Sequence, residues 1–187
     1  MTTVPTPRIE GVRVLQPTTH VDDRGWLREV TRASQLADAG LPPMVQVNHS
    51  RSARGVLRGL HIQTDPPQAK LITCIRGTIF DVVVDLRAGS PTFLQWEHFT
   101  LSGQNGLQVY CPSGFAHGFQ VISDDADVVY FCSDYFSAAG EETIAHDDPR
   151  IGVAWPDPAG TLSPRDRAAE YLAGDWPGIS VAGPPGP

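Results

Sequence analysis

Between Val45 and Ser133 the chain is cut into short apolar runs, each closed by Gly, Pro or acidic turn residues, and this partition constrains the fold more than any other feature. The clearest run is Thr78 to Leu86, where Phe80, Val82 and Val84 alternate with Asp81, Val83 and Asp85. A period of two suits a strand and not a helix. Similar runs span Val45 to His49, Val56 to Gln63, Lys70 to Arg76, Phe93 to Leu101, Gly106 to Cys111, Gly118 to Ser123 and Ala126 to Ser133. Their spacing of roughly ten residues is that of a sandwich or barrel. Two further strands are predicted upstream, at Val12 to Gln16 and Gly25 to Arg32. One short helix is predicted over Ser34 to Ala39, capped by Ser34 and closed by Gly40 before Pro42 and Pro43. The 18 glycines and 17 prolines favour tight turns over long helices, so the expected fold is mostly β.

A chain of 187 residues, 41% hydrophobic, has enough material for one packed domain, placed here at residues 1–176. The last segment, PGISVAGPPGP, reads as a flexible tail over residues 177–187. A formal net charge of −7 with no run of Lys or Arg gives no electrostatic footing for nucleic acid. The start, MTTVPTPRIEGVRVL, lacks the basic opening and apolar run of a signal peptide, and no segment approaches the ~18 apolar residues of a membrane span. A cytoplasmic protein without membrane contact is expected. Cys74, Cys111 and Cys132 are odd in number and lie in apolar sequence, as buried free thiols in a reducing compartment would.

Two segments carry the chemistry. RGLHIQ contains His61 and PSGFAHGF contains His117, both in β-rich surroundings and without the histidine and carboxylate companions that a divalent ion needs. The stretch after His61 offers Gln63, Gln68 and Lys70 instead. An ammonium repels a cation, so Lys70 points to an anionic oxygen or a phosphate as the group bound. A histidine with a lysine nearby can take a proton from carbon and stabilise the oxyanion that results.

The ordered set Asp22-Asp23-Arg24-Gly25 with Glu29, Gln46-Val47-Asn48, RGLHIQ, PPQAKL, RGTIFDVVVDLR, GSPTF, PSGFAHGF, Tyr130 and Asp148-Pro149 covers about residues 8 to 167. It resembles the dTDP-4-dehydrorhamnose 3,5-epimerase family, whose members are cupin-type jelly-roll barrels acting on deoxyribonucleoside-diphosphate sugars. The resemblance implies a dTDP-4-keto-6-deoxyhexose as substrate, no cofactor and no metal. It also implies His61 as base, Asp166 as the aspartate that orients it, Tyr130 as acid and Lys70 at the enolate oxygen. Arg24, Arg58, Lys70 and Arg165 match positions near the nucleotide or sugar, as do Glu29, Glu141, Gln46 and Asn48. His117 is expected near the sugar or phosphate, and Trp26 and Tyr135 are candidates to stack on the thymine.

A homodimer is implied, with an N-terminal segment such as Val12 to Leu15 crossing to the partner. Phe131, Ala145-His146 and Ile62 stand where such enzymes often have Lys, Arg-Trp and Tyr. These positions are expected to surround the sugar more than the nucleotide, which favours an epimerase that inverts one carbon of an unusual deoxysugar. A metal-dependent cupin, a 3,4-ketoisomerase and a non-catalytic sugar-nucleotide binder are the alternatives.

Overall fold

A computed structural model describes residues 5–181. It consists of β1 (Arg13–Leu15), β2 (Thr19–Asp22), β3 (Gly25–Arg28), α1 (Ala33–Asp38), β4 (Gln46–Ala53), β5 (Leu57–Gln63), β6 (Lys70–Arg76), β7 (Thr78–Asp85), β8 (Trp96–Ser102), β9 (Gln108–Cys111), β10 (Phe115–Val121), β11 (Asp125–Cys132), β12 (Glu141–Thr143) and α2 (Pro164–Arg167). Ten of the strands form two antiparallel five-stranded sheets, ordered β1-β9-β6-β11-β4 and β12-β5-β10-β7-β8. The two sheets make the jelly-roll sandwich. The β2–β3 hairpin stands apart from both.

The main core lies between the sheets. Ile72, Cys74, Val109 and Val128 of the first sheet meet Ile79, Val83, Phe99, Phe115 and Phe119 of the second. The alternation in β7 therefore resolves with the aspartate-bearing side inward: Ile79 and Val83 join this core, while Val82 and Val84 face a second cluster with Leu57, Leu60, Ile62 and Trp155. That outer cluster is covered by the C-terminal segment, which contributes Leu162, Leu172, Trp176 and Ile179. On the opposite outer face, α1 packs Leu36 against Leu71 and Tyr110. Burying a leucine this fully stabilises the fold by about 1.5–3 kcal/mol.

Every predicted strand is observed, several with shifted ends: Val45 to His49 runs on to Ala53, Phe93 to Leu101 begins at Trp96, and Gly118 to Ser123 begins at Phe115; β2 was not foreseen. The predicted strand from Gly25 ends at Arg28, and α1 begins at an Arg32 cap with no side-chain cap bond, so Ser34 lies inside the helix. Gly40 does close it, with φ +68°. The three-residue β12 was not foreseen. Val12 to Leu15, expected to cross to a partner, is taken up by its own sheet, where Val14 pairs with Val109. Nor is the tail free from residue 177 onward. The Ile179 N–H donates to Leu86, and Ala88 N–H donates to Ile179. Residues 182–187 of that expectation lie outside the described residues. Cys74, Cys111 and Cys132 are buried free thiols.

The GSPTF motif is structural. Asp85, fully buried, accepts from the Arg87 guanidinium and from the hydroxyls of Ser90 and Thr92, which ties off the turn after β7.

Candidate active site

His61 and His117 are cross-strand partners on β5 and β10. Their proximity depends on two glycines. Gly59 has φ +129°, and a Cβ there would lie 2.6 Å from the Gly118 Cα; one on Gly118 would lie 2.9 Å from the Arg58 carbonyl oxygen. The glycines of RGLHIQ and AHGF thus let the two backbones approach behind the imidazoles.

Both imidazoles are held by a carboxylate. His61 Nε2 is 2.6 Å from Asp166 Oδ1. An ionised carboxylate only accepts, so Nε2 is the donor and Nδ1 is the nitrogen left outside this bond. Asp166 enters from α2, whose Ser163 cap accepts from the Asp166 N–H and donates its own hydroxyl to Asp166 Oδ2 at 2.8 Å. Burial pushes the Asp166 carboxyl up, but the His61 hydrogen bond and charge, Ser163 and Arg165 outweigh it and leave it below the ordinary aspartate value. The Ser-x-x-Asp pattern is thus a helix cap and a histidine anchor at once.

The second pair was not foreseen. His117 Nε2 lies 2.7 Å from Asp81 Oδ1. Asp81 is wholly buried, and its Oδ2 has no hydrogen-bond partner. Burial raises its pKa, against the opposing pull of His117. The signal in the sequence was Asp81, a charged residue set between Phe80 and Val82 in a mostly apolar strand.

Arg58, His61, Lys70, His117, Phe119, Tyr130 and Glu141 line one cavity of about 170 Å³ between the sheets. His61 and His117 come from the second sheet, Lys70 and Tyr130 from the first. Lys70 pairs with Cys132 on β11, and Tyr130 pairs with Asn48 on β4. Burial lifts the pKa of the Tyr130 phenol above its usual value, so it retains its proton at neutral pH. Around the cavity, Arg58 Nε donates to Ser52, Gln46 donates to Asn48, and Arg165 is paired with Glu141. Among the described residues, no three His, Cys, Asp or Glu side chains gather as a metal-binding group.

Other expected site residues stand elsewhere. Arg24, Trp26 and Glu29 lie on or beside the β2–β3 hairpin and do not line the cavity. Arg24 pairs with Asp22, Glu29 pairs with Arg32, and Trp26 is 61% exposed. The Tyr135 side chain is exposed as well, its backbone carbonyl accepting from Gln63.

The three departures are also misplaced relative to the expectation that they surround the sugar. Ile62 is buried in the outer cluster, and Phe131 packs with Leu71 and Leu36 on the far side of the first sheet. Ala145 and His146 do not line the cavity of His61 but border a neighbouring hollow that Asp166 also lines. Strand alternation turns Ile62 away from His61 and Phe131 away from Tyr130. The argument for a single inversion loses its basis at Ile62 and Phe131.

Comparison with known proteins covers nearly the whole chain. A family model described as dTDP-4-dehydrorhamnose 3,5-epimerase matches residues 6–174. The chain is 46% identical over 170 residues to the dTDP-4-dehydrorhamnose 3,5-epimerase of Neisseria gonorrhoeae, covering 88% of this chain and 51% of that one, so it spans about half of that relative. It is 44% identical over 168 residues to the Pseudomonas aeruginosa enzyme of the same name, covering 88% and 93%. Among solved structures, the 3,5-epimerase of Legionella pneumophila in complex with dTDP-4-keto-L-rhamnose superposes with a TM-score of 0.89 at 39% identity, covering 96% and 99%. A 3'-monoepimerase of Streptomyces bikiniensis in complex with dTDP-quinovose gives 0.83 at 40%, covering 88% and 86%. With sequence and fold in agreement over nearly the whole chain, this protein belongs to the dTDP-4-dehydrorhamnose 3,5-epimerase family.

Proposed function

We propose that the protein epimerises a dTDP-4-keto-6-deoxyhexose at carbon 3, carbon 5 or both, as a step of deoxysugar biosynthesis. The observation that carries this reading is the placement of His61 and Tyr130 on opposite sheets across one cavity, with Lys70 beside Tyr130.

A 4-keto group acidifies the hydrogens on the neighbouring carbons. His61 Nδ1 takes one of these protons, the C–H electron pair moves to the keto oxygen, and the Lys70 ammonium stabilises the enolate. Tyr130 returns a proton to carbon from the other face, and the centre is inverted. Asp166 keeps the imidazole oriented and stabilises its cation. Because the carbonyl itself activates the carbon, this sequence runs on side chains alone, without a cofactor. Arg58, His117 and Glu141 on the cavity wall are assigned to the sugar and diphosphate, with Arg165, paired with Glu141, and Gln46 and Asn48 beside them in this reading.

The 170 Å³ cavity is smaller than the roughly 300–1,000 Å³ of ordinary ligand pockets and suits the sugar better than the whole nucleotide. The β2–β3 hairpin meanwhile exposes Val21 (78%), Trp26 (61%) and Leu27 (71%). A homodimer in which this hairpin reaches the partner's cavity accounts for both features, with Arg24, Trp26 and Glu29 meeting the nucleotide there. Tyr135 remains the alternative surface for the thymine. No helix among the described residues is long and apolar enough to cross a membrane, and a cytoplasmic location suits a sugar-nucleotide enzyme.

Incubation with dTDP-4-keto-6-deoxyglucose in heavy water tests the reading. Deuterium at carbon 3 alone identifies a single epimerase, and deuterium at carbons 3 and 5 a double one. Binding without exchange would reject catalysis, and a 3-keto product would identify a ketoisomerase.

A further inference from the structure

The motifs RGLHIQ and PPQAKL each carry a buried glutamine for which proton transfer has no use. Gln63 is 2% exposed and Gln68 6%, and neither lines the cavity. An amide withdrawn from water needs partners for its oxygen and its N–H groups. Both glutamines find them on one loop, residues 133–140, which joins β11 to β12.

The contacts fall on four successive residues. Gln68 Nε2 donates to the Asp134 carbonyl at 2.8 Å, and Gln63 Nε2 donates to the carbonyls of Tyr135 and Pro66 at 3.0 Å each. Gln46 Oε1 accepts from the Phe136 N–H at 2.9 Å, and Gln63 Oε1 accepts from the Ser137 N–H at 2.8 Å. Each residue from 134 to 137 is thus gripped through its backbone by a glutamine side chain. Gln46 belongs to the first sheet and Gln63 to the second, so the loop is tied to both.

The aromatic side chains of this loop have the opposite fate. Tyr135 is 67% exposed and Phe136 54%, so their rings add little to the core. A backbone held this firmly beneath an exposed ring is the arrangement of a pre-organised contact, which loses little freedom on binding. Chain continuity sets the loop beside the cavity: Tyr130 stands two residues before the end of β11, and Glu141 opens β12 opposite Gln63. A cavity of about 170 Å³ takes a sugar and leaves the rest of a nucleotide outside, where a flat heteroaromatic ring meets an aromatic side chain by stacking.

We propose that Gln63 is a positioning residue for nucleobase recognition, with Gln68 in support: it holds the Tyr135 backbone so that the ring stands preset to stack on the thymine of the substrate. A base has two faces, and a contact here leaves the other to Trp26. This inference rests on the epimerase reading with Tyr135 at the thymine, and adds the groups that set that ring.

The test is titration of the full chain with dTDP and with inorganic diphosphate, beside steady-state turnover of dTDP-4-keto-6-deoxyglucose. Gln63→Leu should raise KM and the Kd for dTDP about tenfold, the share that one stacked base contributes. Its kcat and its Kd for diphosphate should stay within about twofold, since no group at the reacting carbon is removed. Tyr135→Ala should do the same. Added to Tyr135→Ala, Gln63→Leu should cost no further dTDP affinity, because the ring through which it acts is gone. Gln68→Leu removes a single bond to the same loop and should weaken dTDP binding about threefold. Parent-like dTDP affinity in Gln63→Leu overturns the proposal, and so does parent-like affinity in Gln68→Leu where the first variant does not fold. An equal loss toward diphosphate, or losses that add in the double variant, overturns it as well. Unchanged dTDP affinity in Tyr135→Ala removes the thymine surface, and the inference falls with it. Failure of the epimerase reading shows separately, as a parent without turnover.

Discussion

The two histidine–aspartate pairs share one geometry and differ in everything around it. Asp166 accepts from His61, from a serine hydroxyl and from the pull of Arg165, and its carboxyl lies below the ordinary value. Asp81 has His117 alone, sits wholly in the core and is raised by burial. His61 is itself a quarter exposed, whereas His117 is 9% exposed. An imidazole that must gain and lose a proton needs access, and the first pair offers more of it. The second pair is built to fix a ring in place within a low-dielectric wall.

The largest test of this difference is to remove each histidine's function separately. His61→Asn should lower turnover by a hundredfold or more, as loss of a general base does, with dTDP affinity nearly unchanged by isothermal titration. Tyr130→Phe should behave alike. His117→Asn should weaken dTDP-sugar binding more than it lowers kcat. Equal collapse of kcat in both histidine variants would erase the distinction.

Next in size is the backbone contact that holds the pairs together. Gly118→Ala would force a Cβ to 2.9 Å from the Arg58 carbonyl oxygen, and overpacking of this kind costs about 1–3 kcal/mol. Thermal unfolding should report that loss, and activity should fall with it because both imidazoles are displaced. A variant with unchanged melting temperature would show that the strands need no close approach.

A smaller effect is expected at the hairpin. Trp26→Ala should weaken dTDP binding about tenfold, as loss of one aromatic contact would, and shift the mass seen by light scattering toward the monomer. A parent that is monomeric at micromolar concentration would remove the hairpin from the site.

The smallest effect concerns pH and stability. A folded-state pKa below the unfolded value, as for Asp166, contributes stability that is present above about pH 3.8 and lost as pH falls through the folded value. Asp81, raised by burial, has the opposite sign: acid favours the fold, and stability declines as pH climbs from about 3.8 through the folded value. The melting-temperature deficit of Asp166→Asn should therefore shrink toward pH 3, whereas Asp81→Asn should gain on its parent as pH rises from 4. Parallel curves for the two variants would contradict the comparison.

Much of this architecture was legible because strands with alternating apolar residues and glycine turns leave little freedom of interpretation. β6, predicted as Lys70 to Arg76, is observed with those bounds. Alternation alone did not say which side of β7 faces inward, since both sides are covered, and the buried Asp81 was missed for that reason. β12 escaped because three residues, two of them glutamates, carry no period. His61, Lys70, His117, Tyr130 and Asp166 could be marked from ordered motifs. The positions of Ile62 and Phe131 could not, because a neighbour in sequence lies on the opposite face of a strand. Arg24, Trp26 and Glu29 belong to a hairpin whose place depends on what covers it, which a single chain does not specify.

Asp166 lies 105 residues beyond the histidine it anchors. During synthesis, every strand of both sheets has been made by the time Thr143 is added, and the cavity wall is already encoded; the residue that aims the base follows more than twenty residues later. It arrives on a strap whose bridges at Thr161, Glu170 and Ile179 fasten it over the outer cluster. Orientation of the His61 ring is thereby coupled to closure of the outer cluster. Any loosening of that cover would release the carboxylate from the imidazole before it disturbed the core between the sheets.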